Sequence, residues 1–235
     1  SGSKSRRVTN LSKQSKLSDA NFAGTARSKE CTLILCEGDS AKSGITSGLT
    51  AADRDFIGMY ALKGKILNVR GQTRQKITKN DEIDDIVKIV GLEYGKTYDK
   101  ESASTRLRYG SVVFITDQDL DGSHIKGLCV NLFQQEWPSL ASLPGFIGYM
   151  NTPILVATRT GRESDRRVFY NQGEYDAWRA PGGEGCAANA AASGWRIKYY
   201  KGLGTSTTAE GRAMFKRLED YTVDFMLCDV SSMPM

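Results

Sequence analysis

The 235 residues predict an α/β domain: a parallel, doubly wound sheet flanked by helices, with a strand-rich extension on its C-terminal side. Three observations carry this. Short apolar runs, CTLILC at 31–36 and SVVFIT at 111–116, are each followed by a turn and then by helical spacing, and unbroken apolar runs suit strands buried on both faces. Both runs end in acidic, glycine-containing loops, Glu37-Gly38-Asp39-Ser40 and Asp117 to Gly122, at the strand ends where such sheets keep ligand-binding groups. Beyond Pro138 the pattern turns to strands and turns.

The elements follow in order. After the strand at Cys31–Cys36, Gly38 permits a tight turn, and Asp39 or Ser40 is expected to cap a helix over 41–48. Phe56–Leu62 reads as a second strand. Asn80 is the expected N-cap of a helix whose first turn holds Asp81, Glu82, Asp84 and Asp85, favourable at the positive end of the helix dipole; Ile83, Ile86, Val87 and Val90 share one face, and Gly91 stops it. After Ser111–Thr116 and Gly122, a helix with Ile125, Leu128, Leu132 and Phe133 on one face ends at Pro138. Ile154–Arg159 and Arg167–Tyr170 suggest a hairpin, and Trp195–Lys201 a further strand. Ala180–Gly194 is a Gly/Ala-rich surface loop, and Thr207 with Glu210 forms a capping box for a helix to about Leu218. The three tryptophans are expected to be packing residues.

Composition narrows the class. Hydrophobic content of 40% supports one main core. No apolar run is long enough to cross a membrane, and the N-terminus lacks a signal peptide's apolar stretch, so a soluble, intracellular protein is expected. Five scattered cysteines without a CxxC pair argue against a disulfide framework or structural zinc. The net charge of +5 is local: residues 1–29 carry seven Lys/Arg against Asp19, leaving 25 basic and 26 acidic residues elsewhere. The opening Ser-Gly-Ser reads as a cloning scar and the rest of that stretch as a flexible basic arm. A second patch, Lys63, Lys65, Arg70, Arg74, Lys76 and Lys79 with no intervening acid, is suited to tracking phosphates.

The chemistry lies in the acidic loops. Asp117-x-Asp119-x-Asp121-Gly122 has the outline of a calcium-binding EF-hand loop, but position twelve is Leu128 rather than Glu and a strand precedes it, which excludes that motif. Three alternating aspartates at a strand end repel one another and call for a cation. Oxygen-only carboxylate ligands suit Mg²⁺, which commonly also contacts a substrate phosphate. With Glu37 on the second loop, the site is expected to hold two metals, or one metal plus a proton-transfer group, for phosphoryl transfer on nucleic acid, with Glu37, Asp117, Asp119 and Asp121 converging. Residues 58–65 lack P-loop spacing. His124, the only histidine, is expected to bond locally or touch phosphate rather than act as a general base.

Four segments in register, EGDSA (37–41), LKGKILNV (62–69), DQDLDGSHIKGL (117–128) and YYKGLGTS (199–206), resemble the TOPRIM domain of eukaryotic-type type II DNA topoisomerases over most of residues 30–219. The resemblance implies a Rossmann-like fold, with Glu37, Asp117 and Asp119 catalytic and holding Mg²⁺ (Mn²⁺ or Ca²⁺ as substitutes) beside the scissile phosphate, and Asp121 supporting. It implies double-stranded DNA contacts at Asp39, Ser40, Lys63, Gly64, Lys65, Asn68, His124 and Lys201, and topoisomerase poisons near Asp39 and Lys63. The family's usual Pro-Leu-Arg-Gly-Lys is here Ala61-Leu62-Lys63-Gly64-Lys65, and lysine lacks arginine's planar bidentate contact. The implied whole enzyme is an ATP-dependent nuclear (alternatively mitochondrial) homodimer that cleaves and religates DNA through a phosphotyrosine. No tyrosine here sits in the nucleophile's context and no ATPase segment is present, so the fragment alone is expected to be inactive. Another TOPRIM enzyme, such as a primase or nuclease, and a noncatalytic DNA-binding scaffold are the alternatives. The expected division is an arm at 1–29, a core at 30–145, an extension at 146–220 ending in a helix, and an unassigned tail at 221–235.

Overall fold

The computed structural model describes residues 17–186, 194–200 and 222–225. Its main sheet has the order β1-β3-β2-β4-β5-β9, formed by β1 (Leu17–Ser18), β3 (Ile57–Leu62), β2 (Thr32–Glu37), β4 (Ser111–Ile115), β5 (Ile147–Met150) and β9 (Thr222–Asp224). The central four strands run parallel, whereas β1 and β9 close the two edges antiparallel.

Strand alternation divides the apolar runs between two cores. Leu33 and Leu35 of β2, Tyr60 and Leu62 of β3, and Phe114 of β4 join the larger one, packed under α4 (Asp81–Val90) and α6 (Leu120–Glu136). Ile34, Cys36, Met59, Ala61, Val113 and Ile115 join the smaller one, under α1 (Gly38–Gly48). Burial on both faces is what the unbroken apolar runs anticipate.

α4 spans the expected residues: the Asn80 side chain accepts from the Ile83 N–H at 3.0 Å, and Gly91 leaves the helix at φ +82°. α1 starts at Gly38, so Asp39 and Ser40 lie inside its first turn rather than before it and do not serve as its N-cap. α6 likewise starts earlier than Gly122, because Asp119 is its N-cap: the Asp119 carboxylate accepts from the Gly122 N–H at 2.7 Å. Short helices α2 (Asp53–Phe56), α3 (Arg74–Thr78), α5 (Lys100–Arg106) and α7 (Pro138–Ala141) complete the core.

Residues 17–29, expected within a flexible arm, are folded here. Leu17 pairs with Tyr60, Ala20 and Ala23 are buried, and the Asp19 carboxylate accepts from the Arg108 guanidinium and the Tyr109 hydroxyl. Arg108 is itself buried and donates to the Ile89 carbonyl at 2.7 Å. Local composition misses this because the partners, Tyr60, Arg108 and Tyr109, lie far away in sequence.

The extension forms a second, antiparallel sheet, β7-β6-β8, from β6 (Leu155–Arg159), β7 (Arg162–Phe169) and β8 (Trp195–Tyr199), covered by α8 (Gln172–Arg179). Leu155, Ala157, Phe169 and Tyr175 form its core, with Trp178 and Trp195 packed around them. α8 was not expected; Asn171 caps it, accepting from the Glu174 N–H at 2.9 Å. The Thr207–Glu210 capping box and its helix lie outside the described residues. No helix among the described residues is long and apolar enough to cross a membrane.

Candidate metal and nucleic-acid site

Strand order decides what meets at the carboxyl edge of the main sheet. Glu37 ends β2, in register with Leu62 at the end of β3. On the other side Cys36 pairs with Ile115, so the β4 exit, Thr116-Asp117, lies next to Glu37. Across the edge the order is therefore the basic segment that follows Leu62, then Glu37, then Asp117, then Asn151 after β5, which accepts from Gln118 Nε2 at 3.4 Å. Loops 80 residues apart in sequence thus deliver acids side by side, flanked by cations.

The Glu37 carboxyl is pushed above the ordinary carboxylate range, first by burial and then by the charges of Asp117, Asp119 and Asp121; a backbone hydrogen bond from Asp117 partly offsets this. Its Oε2 is shielded from water and has no hydrogen-bond partner among the described residues. An orphaned carboxylate oxygen facing further carboxylates is a place where a hard cation would relieve both desolvation and repulsion. The oxygen-only donor set fits Mg²⁺ in chemistry.

The four acids are not equally directed toward that point. Asp119 spends one oxygen on the α6 N-cap. Asp121 is exposed and pairs with Lys65, Nζ to Oδ1 at 2.7 Å; that hydrogen bond, the lysine's charge and then His124 hold its carboxyl below the usual range. Among the described residues no three His, Cys, Asp or Glu side chains are gathered closely enough to hold a metal ion. The expected convergence is therefore one of neighbourhood and electrostatics rather than a closed set of ligands.

Gly122 ties the second loop down. It is buried, and a Cβ there would meet the Asp117 carbonyl oxygen at 2.1 Å. Only glycine lets the α6 backbone press against the loop that presents Asp117.

The basic segment is docked on α6 at three points: Lys65 to Asp121, Asn68 Oδ1 accepting from Asn131 Nδ2 at 3.1 Å, and Arg74 to Glu136 at 2.9 Å. Arg74 also covers the Tyr94 ring, which stacks on the buried Trp137. The Lys63 N–H donates to the Glu82 carboxylate of α4. Gly64 has φ +129°, which side chains rarely adopt. Asp39, Ser40, Lys63, Lys65, Asn68 and His124 are all exposed at this edge or on the α6 face beside it. Lys201 lies outside the described residues. Asn131 and Glu136, which hold the basic segment, had no sequence signal beyond their place on one helix.

The family model described as "Toprim domain" covers residues 32–149, and "C-terminal associated domain of TOPRIM" covers 150–233. The chain is 47% identical over 210 residues to "Probable DNA topoisomerase 2" of Dictyostelium discoideum, covering 89% of this chain and 13% of that protein. It is 48% identical over 210 residues to "DNA topoisomerase 2-beta" of Homo sapiens, covering 89% of this chain and 12% of that protein. The crystal structure of the Plasmodium falciparum topoisomerase II DNA-binding, cleavage and re-ligation domain superimposes with a TM-score of 0.78 at 41% identity, covering 93% of this chain and 28% of that one. The chain thus spans a small part of the relatives it resembles. With its acidic strand ends, its sheet order and both family models in agreement, the chain belongs to the Toprim family, as a Toprim region of the eukaryotic type II DNA topoisomerase kind with its C-terminal associated domain.

Proposed function

We propose that this chain is the Mg²⁺-binding part of an ATP-dependent type II DNA topoisomerase, a nuclear homodimer that opens and reseals duplex DNA through a phosphotyrosine. The observation that carries the proposal is the orphaned Glu37 oxygen beside Asp117 at the ends of adjacent parallel strands, flanked by a pinned basic segment. Glu37 and Asp117, with the free oxygen of Asp119, would hold the ion, and Asp121 would support it from the rim. Bound there, Mg²⁺ supplies Lewis-acid stabilisation of charge on the phosphate and on the departing 3′-oxygen.

The chain's own residues do the rest. Lys65 offers an ammonium to phosphate within reach of Asp121, and Asn68, fixed by Asn131, orients the loop between them. Gly64 keeps the backbone bare where a strand would approach. Gly122 and the Asp119 cap hold Asp117 against relaxation, so the carboxylates need little reorganisation when charge develops. The nucleophilic tyrosine and the ATPase function come from elsewhere in the whole enzyme, and the isolated chain does not relax supercoiled DNA.

A second reading, a DNA-binding scaffold with structural acids, is favoured by the commitment of Asp119 and Asp121 to protein partners. An NMR titration of the chain with Mn²⁺, with and without competing Mg²⁺ and a short duplex, separates the two. Selective broadening at Glu37 and Asp117–Gly122, reversed by Mg²⁺ and weakened in Asp117→Asn, is the expected result. Duplex binding without any such broadening refutes the metal site and leaves the scaffold.

A further inference from the structure

Among the described residues only three large apolar side chains are exposed: Leu120 at 89%, Tyr199 at 57% and Val223 at 40%. A single exposed leucine is commonplace on a protein surface. This one is unusual in where it stands and in how firmly it is held. It is the first residue of α6, between Asp119 and Asp121.

The backbone on both sides is fixed. The Asp119 side chain and carbonyl accept from the Gly122 and Ser123 N–H groups at 2.7 and 3.1 Å, and Gly122 is backed against the Asp117 carbonyl with no room for a Cβ. These contacts tie down the start of α6, where the Leu120 side chain stands exposed. A rigid element holds a four-carbon side chain in water at the rim of an acidic cluster, next to the Asp121–Lys65 pair.

Charge complementarity points to what covers it. Lys65 of the basic segment stands beside it, paired with Asp121, and suits a polyanion. A nucleic-acid backbone presents anionic phosphates separated by sugars with apolar C–H faces.

We infer that Leu120 packs on the deoxyribose next to the bound phosphate, a sequence-independent apolar contact that positions the strand over the acidic site. This rests on the DNA-binding reading proposed above. Leu120 carries no charge, so its contribution has a signature different from that of a phosphate contact: it changes affinity without changing the number of counterions released.

The test is duplex affinity of the full 235-residue chain in Mg²⁺ over a series of salt concentrations, for the unaltered chain, Leu120→Ala, Leu120→Gln and Lys65→Ala. Partial burial of a leucine side chain predicts a weakening of about three- to ten-fold for both Leu120 variants at every salt concentration, with the salt slope unchanged. Lys65→Ala should lower that slope by about one. Thermal melting of the Leu120 variants should match that of the unaltered chain, since the side chain touches no core.

Leu120 variants with undiminished affinity, or with an altered slope, overturn the inference while the DNA reading stands. So does a Leu120→Ala effect confined to self-association of the chain. An unaltered chain that shows no duplex affinity at any salt concentration refutes the DNA reading itself.

Discussion

Gly122→Ala should destabilise the protein by about 1–3 kcal/mol and impair the acidic loop, although alanine is the better helix former. The ideal Cβ lies 2.1 Å from the Asp117 carbonyl oxygen, 2.9 Å from Thr116 Oγ1 and 3.0 Å from the Asp117 carbonyl carbon. Two of these are backbone atoms, so the clash is relieved only by moving the loop that carries Asp117. Overpacking of this kind costs about 1–3 kcal/mol. Shifting residue 122 also disrupts the Asp119 cap on its N–H, a loss of about 1 kcal/mol. The gain in helix propensity returns about 1 kcal/mol. Gly127 supplies the control: it lies in the same helix with nothing within 4 Å of an added Cβ. Gly127→Ala should therefore stabilise by about 0.5–1 kcal/mol. Chemical denaturation of the three proteins measures the difference, with Mn²⁺ titration as the functional readout, and for a chain of this size 1 kcal/mol moves Tm by about 2–4 °C. If Gly122→Ala is as stable as Gly127→Ala, the close approach does not hold and neither does the argument that Gly122 fixes Asp117.

Two further outcomes follow from the buried polar groups. The Glu37 carboxyl has a raised pKa in the folded protein, so it contributes stability that is fully present below its ordinary value of 4.5 and is lost as pH rises through the folded value. Glu37→Gln should leave acid stability nearly unchanged, raise metal-free stability at neutral pH and abolish stabilisation by Mn²⁺; a variant that loses neutral-pH stability contradicts the assigned repulsion. Tyr60 donates to Asp85 at 2.9 Å with both side chains fully buried. Tyr60→Phe should cost about 1–3 kcal/mol in urea denaturation, and a cost under about 0.5 kcal/mol would show that Asp85 is satisfied without it.

Legibility in the sequence tracked the range of the interaction. The sequence locates β2, β3, β4 and α4 to within about a residue, because an apolar run, a capping asparagine and a stopping glycine act locally. Read locally, α1 and α6 start late, since a glycine or aspartate in a loop reads equally well as the last loop residue or the first helical one. The sequence does not announce α8, whose only large apolar side chains are Tyr175 and Trp178 among polar neighbours. The folding of residues 17–29 depends on Arg108 and Tyr109, which nothing near Asp19 announces.

The same division holds for the site. By itself the sequence determined the α/β class, the two acidic loops at strand ends, the basic segment and, through four motifs in register, the family. Each of these is written in neighbouring residues. The tertiary structure alone decided that β2 and β4 are adjacent and parallel, which sets Glu37 beside Asp117. It also decided that Asp121 faces Lys65 and that Leu120 is left in water. Strand order and the Lys65–Asp121 pairing arise from packing between segments well separated in sequence, and no local pattern of residue types encodes them.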